Sequence, residues 1–76
     1  MDKEKIITIA AEILKTDKEN ARKHCEEIPE INGWYFWQPQ YGGISVLINS
    51  NGEKLAAPSS VNLKEHIAEF NKGRRN

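Results

Sequence analysis

Apolar residues in the first part of the chain recur at steps of three and four positions, which is the spacing of one helix face. Residues 3 to 15 carry this pattern, with apolar positions at Ile6, Ile9, Ala10, Ile13 and Leu14. Asp2 directly precedes them and is a suitable N-cap. The pattern therefore predicts an amphipathic helix over residues 3–15.

A second, weaker helix is predicted before Pro29. Thr16 and Glu19 form a T-x-x-E capping box, in which hydroxyl and carboxylate satisfy first-turn amides, so the helix would begin at about Asp17. Pro29 disfavours helical geometry at Ile28 and would end it there. The apolar stripe of this helix is narrow and consists of Ala21, Cys25 and Ile28.

Alternation of side chains and turn residues predict three strands in the centre of the chain. The first covers residues 33–38 and follows the Asn32-Gly33 turn, and the second covers residues 44–50. The third follows Asn51-Gly52, a dipeptide typical of two-residue type I′ turns, and ends at Pro58. This turn would pair Ser50 with Glu53, Ile48 with Leu55 and Val46 with Ala57.

The pairing of the first two strands is open, because the residues between Gln38 and Ile44 can close a loop in two ways. In the preferred register Gln38 pairs with Gly43, so that Tyr35 and Trp37 face the core while Trp34 and Phe36 point away. A slip of one residue exchanges the two pairs, because side chains alternate between the faces of a strand.

Asn62 and Glu65 begin a last helix, whose apolar positions are Leu63, Ile67 and Phe70, and Gly73 is suited to end it. The predicted order is therefore α-α-β-β-β-α. We expect a single α+β domain over residues 1–76, with the last few residues disordered. Its three-stranded antiparallel meander would be packed by helices mainly on one face, with the first and last helices on the Ile44, Val46, Ile48 and Leu55 side.

Charge and cysteine content narrow the class of protein. Eleven basic and eleven acidic residues cancel, so no net field attracts the chain to nucleic acid or to an anionic membrane. Cys25 is alone and cannot form an internal disulfide, which favours a reducing compartment. No apolar stretch approaches the ~20 residues of a membrane-spanning helix, and Glu12 interrupts the one segment that resembles a signal peptide. We expect a cytoplasmic protein.

The aromatic residues provide the main functional signal. Five of the six lie between positions 34 and 41, within a stretch from Ile31 to Gly52 that has no charged side chain. A strand with bulky rings on both sides cannot bury all of them in so small a domain. We therefore expect a non-enzymatic protein–protein interaction module whose exposed aromatic strand patch contacts a protein partner or a second copy of the chain. The candidate contact residues are Trp34, Tyr35, Phe36, Trp37, Tyr41 and Leu47.

Two other kinds of binding remain open. The same rings could stack on a sugar in a small-ligand pocket, with Gln38, Gln40, Tyr41 and Ser45 as polar groups. They could also stack on single-stranded nucleic acid, but no Lys or Arg lies between Glu30 and Glu53 to hold a phosphate backbone, so this partner is disfavoured.

One arrangement of residues suggests a specific kind of partner. The positions Trp34, Phe36, Gly42, Gly43, Val46 and Gly52, followed by a closing helix, loosely resemble those of small bacterial immunity-type proteins. The resemblance covers about half the chain and consists of general hairpin residues. It implies a protein that binds and blocks a toxin.

Catalytic and metal sites are not predicted. His24 and Cys25 are adjacent and, on a helix, would point about 100° apart, so a thiolate–imidazole pair would need His66 from the last helix. A small thiol that fills the helix stripe is the simpler interpretation. With two histidines and one cysteine, no metal-ligand spacing is present, and no cofactor motif occurs. Glu26, Glu27 and Glu30 would lie near a helix end, as solvated charges or as a patch for a basic partner.

Overall fold

A computed structural model describes residues 2–38, 43–58 and 60–75, and within them a four-stranded antiparallel sheet with helices before and after it. The α+β class and the order of helices, strands and helix are confirmed, with one strand more than predicted. The elements are helix α1 (Lys3–Leu14), helix α2 (Lys18–Lys23), strand β1 (Cys25–Ile28), a 3-10 turn (Pro29–Ile31), strand β2 (Gly33–Trp37), strand β3 (Ile44–Asn49), strand β4 (Lys54–Pro58) and helix α3 (Leu63–Asn71).

The ends of the two longer helices are formed as the sequence predicts. The Asp2 carboxylate accepts a hydrogen bond from the backbone N–H of Lys5 at 2.9 Å, and the Asn62 amide oxygen accepts one from Glu65 at 2.8 Å. Gly73 has φ 97° and donates to the Phe70 carbonyl at 3.0 Å, the C-terminal closure that favours glycine. These caps fix the bounds of α1 and α3.

The predicted second helix is too long, and its last part is a strand. Asp17, not Thr16, is the N-cap, with its carboxylate 2.8 Å from the N–H of Asn20. The helix ends at Lys23, and residues 25–28 pair with β2 instead. Pairing satisfies the backbone groups along that side of β2, which a helix at these positions would leave open. The glutamates at 26 and 27 therefore lie on an exposed edge strand and not at a helix end.

The first central hairpin has the register opposite to the preferred one. Trp37 lies opposite Ser45, Phe36 opposite Val46, and Trp34 opposite Ile48. Trp34 and Phe36 consequently share a face with the apolar positions of β3 that meet α1. The prediction that Tyr35 and Trp37 face that core is wrong by one residue of register, and the alternative pairing is the observed one.

The second hairpin is also shifted by one residue. Its loop has three residues, because Asn49 donates its N–H to the Glu53 carbonyl at 3.0 Å, whereas a two-residue turn would have paired Ser50 with Glu53. Gly52 has φ 84°, and Asn51 is not among the described non-glycine residues with positive φ. Three-residue loops with a glycine in this conformation are a common alternative to the type I′ turn. Leu55 therefore pairs with Leu47, and Ala56 with Val46.

The sheet is covered on both faces, so the expectation that the first and last helices share one face is wrong. On one face α1 and Ala21 of α2 pack against the β2 and β3 side chains Phe36, Val46 and Ile48. On the other face Phe70 of α3 packs against Leu47, with Ile28 and Ile31 beside them. The shift in the second hairpin contributes to the difference, because it moves Leu55 to the face of Leu47, opposite Val46, where α3 packs.

Gly33 is the position where the β2 and β3 backbones come closest. A Cβ atom added there would lie 2.2 Å from the Ile48 carbonyl oxygen and 2.5 Å from the Asn49 Cα. Both of these atoms belong to the backbone, so they cannot move without shifting the strand. The register of the central strands thus depends on the absence of a side chain at this position.

We expect Gly33→Ala to lower the free energy of unfolding by about 3 kcal/mol, because the methyl group forces two paired strands apart. Gly73→Ala is the matched control, since nothing lies within 4 Å of its Cβ. It should cost about 1 kcal/mol, from its positive φ alone. Urea unfolding of the two variants measures both values. Equal losses for both variants would contradict the observed β2–β3 register.

The side chains of Asn49 and Glu53, at the two ends of the β3–β4 loop, form hydrogen bonds that stabilise it. The Asn49 amide oxygen accepts from the N–H groups of Asn51 at 3.0 Å and Glu53 at 2.9 Å, while its amide nitrogen donates to the Glu53 carboxylate at 2.8 Å. The Arg75 guanidinium lies 3.6 Å from the same carboxylate and 3.8 Å from the centre of the Phe70 ring. The hydrogen bond from Asn49, and secondly the charge of Arg75, lower the pKa of Glu53 below its ordinary 4.5.

This lowered pKa predicts how stability changes in acid. The folded state binds a proton on Glu53 less readily than the unfolded state, so the carboxylate stabilises the fold above pH 4.5 and this contribution is lost as the pH falls below that value. Glu53→Gln keeps an acceptor for Asn49 but has no charge to titrate. In urea unfolding, wild type should exceed the variant in stability at neutral pH and match it in acid. A stability difference between wild type and Glu53→Gln that is the same at neutral pH and in acid would contradict this prediction.

Candidate functional site

Four aromatic rings lie in a row across the sheet face that α3 partly covers. Tyr35 and Trp37 are stacked, with ring centres 5.5 Å apart and planes inclined by 24°. The inner end of the row is His66, whose ring meets Tyr35 edge-on at 6.0 Å, and the outer end is His24, which meets Trp37 edge-on at 5.8 Å. We call these residues (His24, Trp37, Tyr35 and His66) the ring row. It begins beneath α3 and ends at the turn after α2.

The structure separates the predicted contact residues into buried and half-exposed ones. Phe36 and Leu47 are 0% exposed and belong to the two cores, so the expectation that they contribute to an open patch is wrong. Trp34 is half-buried and packs against the α1 core, on the opposite face from the ring row. Tyr35 and Trp37 are also half-buried. Tyr41, with the predicted loop at Pro39 to Gly42, lies outside the described residues.

A cavity of about 260 Å³ opens at the outer end of the ring row. It lies where the end of α1, the start and end of α2 and the last residues of β2 come together. The described residues that line it are mostly polar, and they are Leu14, Lys15, Thr16, Asn20, His24, Trp37 and Gln38. We call this the α1–α2 pocket. Only Trp37 and Gln38 of these residues were expected near a binding site.

Hydrogen bonds within the α1–α2 pocket fix the orientation of its polar groups. The His24 Nδ1 atom lies 3.0 Å from the Asn20 backbone carbonyl, and because a carbonyl can only accept, Nδ1 carries the proton. In the neutral ring Nε2 is then an acceptor. The Asn20 amide nitrogen donates to the Thr16 hydroxyl at 3.3 Å, which leaves the amide oxygen as a second acceptor and the hydroxyl proton free to donate.

Gln38 forms a fixed wall of the pocket. Its side-chain nitrogen donates to the Leu14 carbonyl at the end of α1, and its side-chain oxygen accepts from the N–H of Ile44 at 3.0 Å. These two bonds tie α1 to the start of β3. Lys15, another lining residue, follows α1 as its C-cap with φ 54°, a left-handed conformation that is unusual for a lysine.

The polar residues of this pocket have a sequence signal that the helix prediction did not use. Thr16, Asn20 and His24 are spaced four residues apart, so they line one side of α2 and its two ends. The prediction used Thr16 as a capping residue, weighed His24 beside Cys25 and took Ala21, Cys25 and Ile28 as the apolar stripe, but it did not group Thr16, Asn20 and His24. The partner side chains from β2 could not be placed, because their position depends on the register that the sequence left open.

Comparison with known proteins provides no family for this chain: no protein-family model, curated protein or solved structure matches it. The geometry of the ring row and of the α1–α2 pocket is therefore the basis on which a function is proposed. Within residues 2–38, 43–58 and 60–75, no helix has the length and apolar character needed to cross a membrane. Over the same part of the chain, no three His, Cys, Asp or Glu side chains come together as metal ligands would.

Cys25 and the two histidines are on different faces of the sheet. The Cys25 side chain packs against the α1 core, opposite Phe36. His66 is 1% exposed, and its Nε2–H donates to the Leu55 carbonyl at 2.7 Å on the face that α3 covers. The thiolate–imidazole pair considered from the sequence is therefore not formed by Cys25 and His66. The Nδ1 atom of His66 and the hydroxyl of Ser45 are buried without a hydrogen-bond partner among the described residues.

A second, smaller cavity of about 170 Å³ lies between β4 and α3. Leu55, Ala57 and Val61 provide apolar walls, and the Arg74–Glu69 ion pair, with 3.5 Å between nitrogen and oxygen, stands at its side. His66 is also one of its lining residues, but its one hydrogen bond points to the strand. This cavity offers fewer polar groups to a ligand than the α1–α2 pocket does.

Burial raises the pKa of the Cys25 thiol, and the charge of Lys3 only partly opposes this. We therefore expect iodoacetamide to label native Cys25 at neutral pH more than tenfold more slowly than the same protein unfolded in urea, because less thiolate is present and access is limited. Mass spectrometry of timed samples measures both rates. Equal rates in the native and unfolded protein would mean that the thiol is exposed and not packed against α1.

Proposed function

We propose that the chain is a non-enzymatic protein–protein interaction module whose contact surface is centred on Tyr35 and Trp37. The observation that carries this proposal is the position of the stacked pair: α3 packs against β3, β4 and the 3-10 turn before β2, and Tyr35 and Trp37 are half-exposed on the same face of the sheet. In the observed register this pair shares the face that α3 partly covers, while Phe36 is buried and Trp34 packs against the α1 core.

The stacked pair has the physical properties of a binding anchor. Tyrosine and tryptophan are the residues that most often dominate the energy of protein interfaces. Stacking on each other and edge contacts with His66 and His24 restrict both rings before any partner arrives. A partner therefore loses less entropy in ordering them than it would with free side chains.

The charges around the pair favour a basic partner. Glu26 lies directly opposite Tyr35 in the β1–β2 pairing and is exposed, and Glu27 and Glu30 are exposed nearby along the chain. No described lysine or arginine forms an ion pair with any of the three. At the rim of an interface such charges act mainly on partner choice and association rate. Inhibition of a toxin, as the immunity-type resemblance implies, would be one instance of this function.

A cytoplasmic location is part of the proposal, because a single half-buried thiol suits a reducing compartment. We propose no cofactor and no metal for the binding function. A partner protein or a second copy of the chain is the ligand, and the two differ in a measurable way: only self-association depends on the concentration of the chain itself.

Trp37→Ala should remove the contact, and Trp34→Ala is the matched control. Both variants delete a half-buried tryptophan from the same strand, but the two rings point to opposite faces. Loss of a hot-spot residue costs about 2 kcal/mol, or roughly 30-fold in affinity. Partner retention from native lysate and light scattering over a concentration series measure the two forms of binding, with circular dichroism to verify folding.

Binding that is lost in Trp37→Ala and kept in Trp34→Ala is the expected result for either partner. The proposal fails if the wild-type chain is monomeric at every concentration and Trp37→Ala retains the same proteins as wild type. It also fails if Trp34→Ala alone abolishes binding, since the contact would then lie on the α1 face.

A further inference from the structure

We infer that the α1–α2 pocket binds a hydroxyl-rich ring, that is, a monosaccharide unit, at a site separate from the protein contact. The pocket shares only Trp37 with the proposed contact surface. Its other polar groups come from the turn between α1 and α2 and from the ends of α2, namely Lys15, Thr16, Asn20 and His24. Of these four residues, only His24 contributes to the proposed protein contact, through its edge contact with Trp37.

The volume of the pocket limits the size of the ligand. About 260 Å³ is below the roughly 300–1,000 Å³ of sites that enclose a drug-sized molecule. One small ring can enter such a space, whereas a nucleotide or a peptide segment could place only one of its groups there.

The mixture of donors and acceptors indicates the chemistry of the ligand. His24 Nε2 is an acceptor, because Nδ1 donates to the Asn20 carbonyl. The Asn20 amide presents its oxygen as an acceptor, and its second N–H is a donor because only one N–H is bonded to Thr16. The Thr16 hydroxyl and the Lys15 ammonium are donors. A hydroxyl group both donates and accepts, so a ring that carries several hydroxyls can satisfy both kinds of group at once.

An anionic ligand fits this arrangement less well. A phosphate or carboxylate only accepts hydrogen bonds, and it would face the lone pairs of His24 and Asn20 with Lys15 as the single permanently charged donor. The half-exposed Trp37 ring provides apolar surface for the C–H groups of a sugar ring. The Gln38 side chain beside it is held in place by its hydrogen bonds to Leu14 and Ile44.

The test uses the Trp34→Phe variant, in which Trp37 is the only tryptophan, so its fluorescence and indole N–H signal report on the pocket without a signal from Trp34. The probes are glucose, galactose, mannose and N-acetylglucosamine, with sorbitol as an open-chain polyol and inorganic phosphate as an anion. A ligand of this size in an open pocket should bind at about millimolar dissociation constants. At least one ring sugar is expected to quench the emission and shift the indole N–H resonance saturably.

Asn20→Ala in the same background should weaken that sugar at least fivefold, because it removes an acceptor and frees Thr16. Asn71→Ala, an exposed asparagine of α3 outside the pocket, should leave the affinity unchanged. Three results would overturn the inference: no ring sugar binds at tens of millimolar, sorbitol or phosphate binds as tightly as every ring sugar, or Asn20→Ala has no effect on binding.

The same variants separate this inference from the proposed function. Asn20→Ala leaves Tyr35 and Trp37 in place, so it should retain a protein partner as wild type does while it loses the sugar. A chain that binds sugar but no protein would contradict the interaction module alone, and a chain that binds protein but no sugar would contradict only the inference about the pocket.

Discussion

The fold depends on the way β2 is enclosed, because this short strand carries a large side chain on each face at successive positions. Phe36 and Trp34 require one apolar layer and Tyr35 and Trp37 require another, so a sheet with helices on one side only could not bury them. The chain provides α1 for the first pair and α3 for the second. The second layer is the smaller, and α3 covers the face only as far as Tyr35, which contacts His66.

The same need to enclose β2 explains why the sheet has the additional strand β1. With β3 on one side only, β2 would be an edge strand that combines bulky aromatic side chains with unpaired backbone groups, a combination that promotes aggregation. Pairing with Cys25–Ile28 moves the open edge to a strand with two adjacent exposed glutamates, which repel a second edge of the same kind. Trp37 donates its N–H to the His24 carbonyl at 3.2 Å, so the pairing continues to the rim of the α1–α2 pocket.

Local signals in the sequence predicted the helix ends that have clear caps. Contacts between residues far apart in the sequence determined the other elements. The caps at Asp2 and Asn62 and the glycine at 73 were predictable because each depends on residues within one helical turn. The strand at residues 25–28 was not predictable from local signals. Cys25 and Ile28 continue a helix stripe with Ala21 as well as they fit a strand, and pairing with β2 decides in favour of the strand. The glutamates close to Pro29, unfavourable at a helix C-terminus, were the one local sign against a helix.

The sequence predicted the aromatic strand β2 but not which face each of its side chains occupies. A shift of one residue exchanged the faces of Trp34 and Trp37, and a three-residue loop at Gly52 did the same for Leu55. The polar residues of the α1–α2 pocket come from a turn and a short helix that have no strong motif. Their grouping beside Trp37 depends on tertiary packing, which no spacing in the sequence specifies.

Trp37 is common to the two binding proposals, because it belongs to the half-exposed pair and also lines the α1–α2 pocket. The side of the sheet on which each tryptophan lies is therefore the central claim, and nuclear Overhauser contacts of the two indole groups test it most directly. The account predicts contacts from Trp37 to the rings of Tyr35 and His24, and from Trp34 to isoleucine methyl groups of α1. Contacts from Trp37 to those methyl groups, with Trp34 beside Tyr35 or His66, would contradict it.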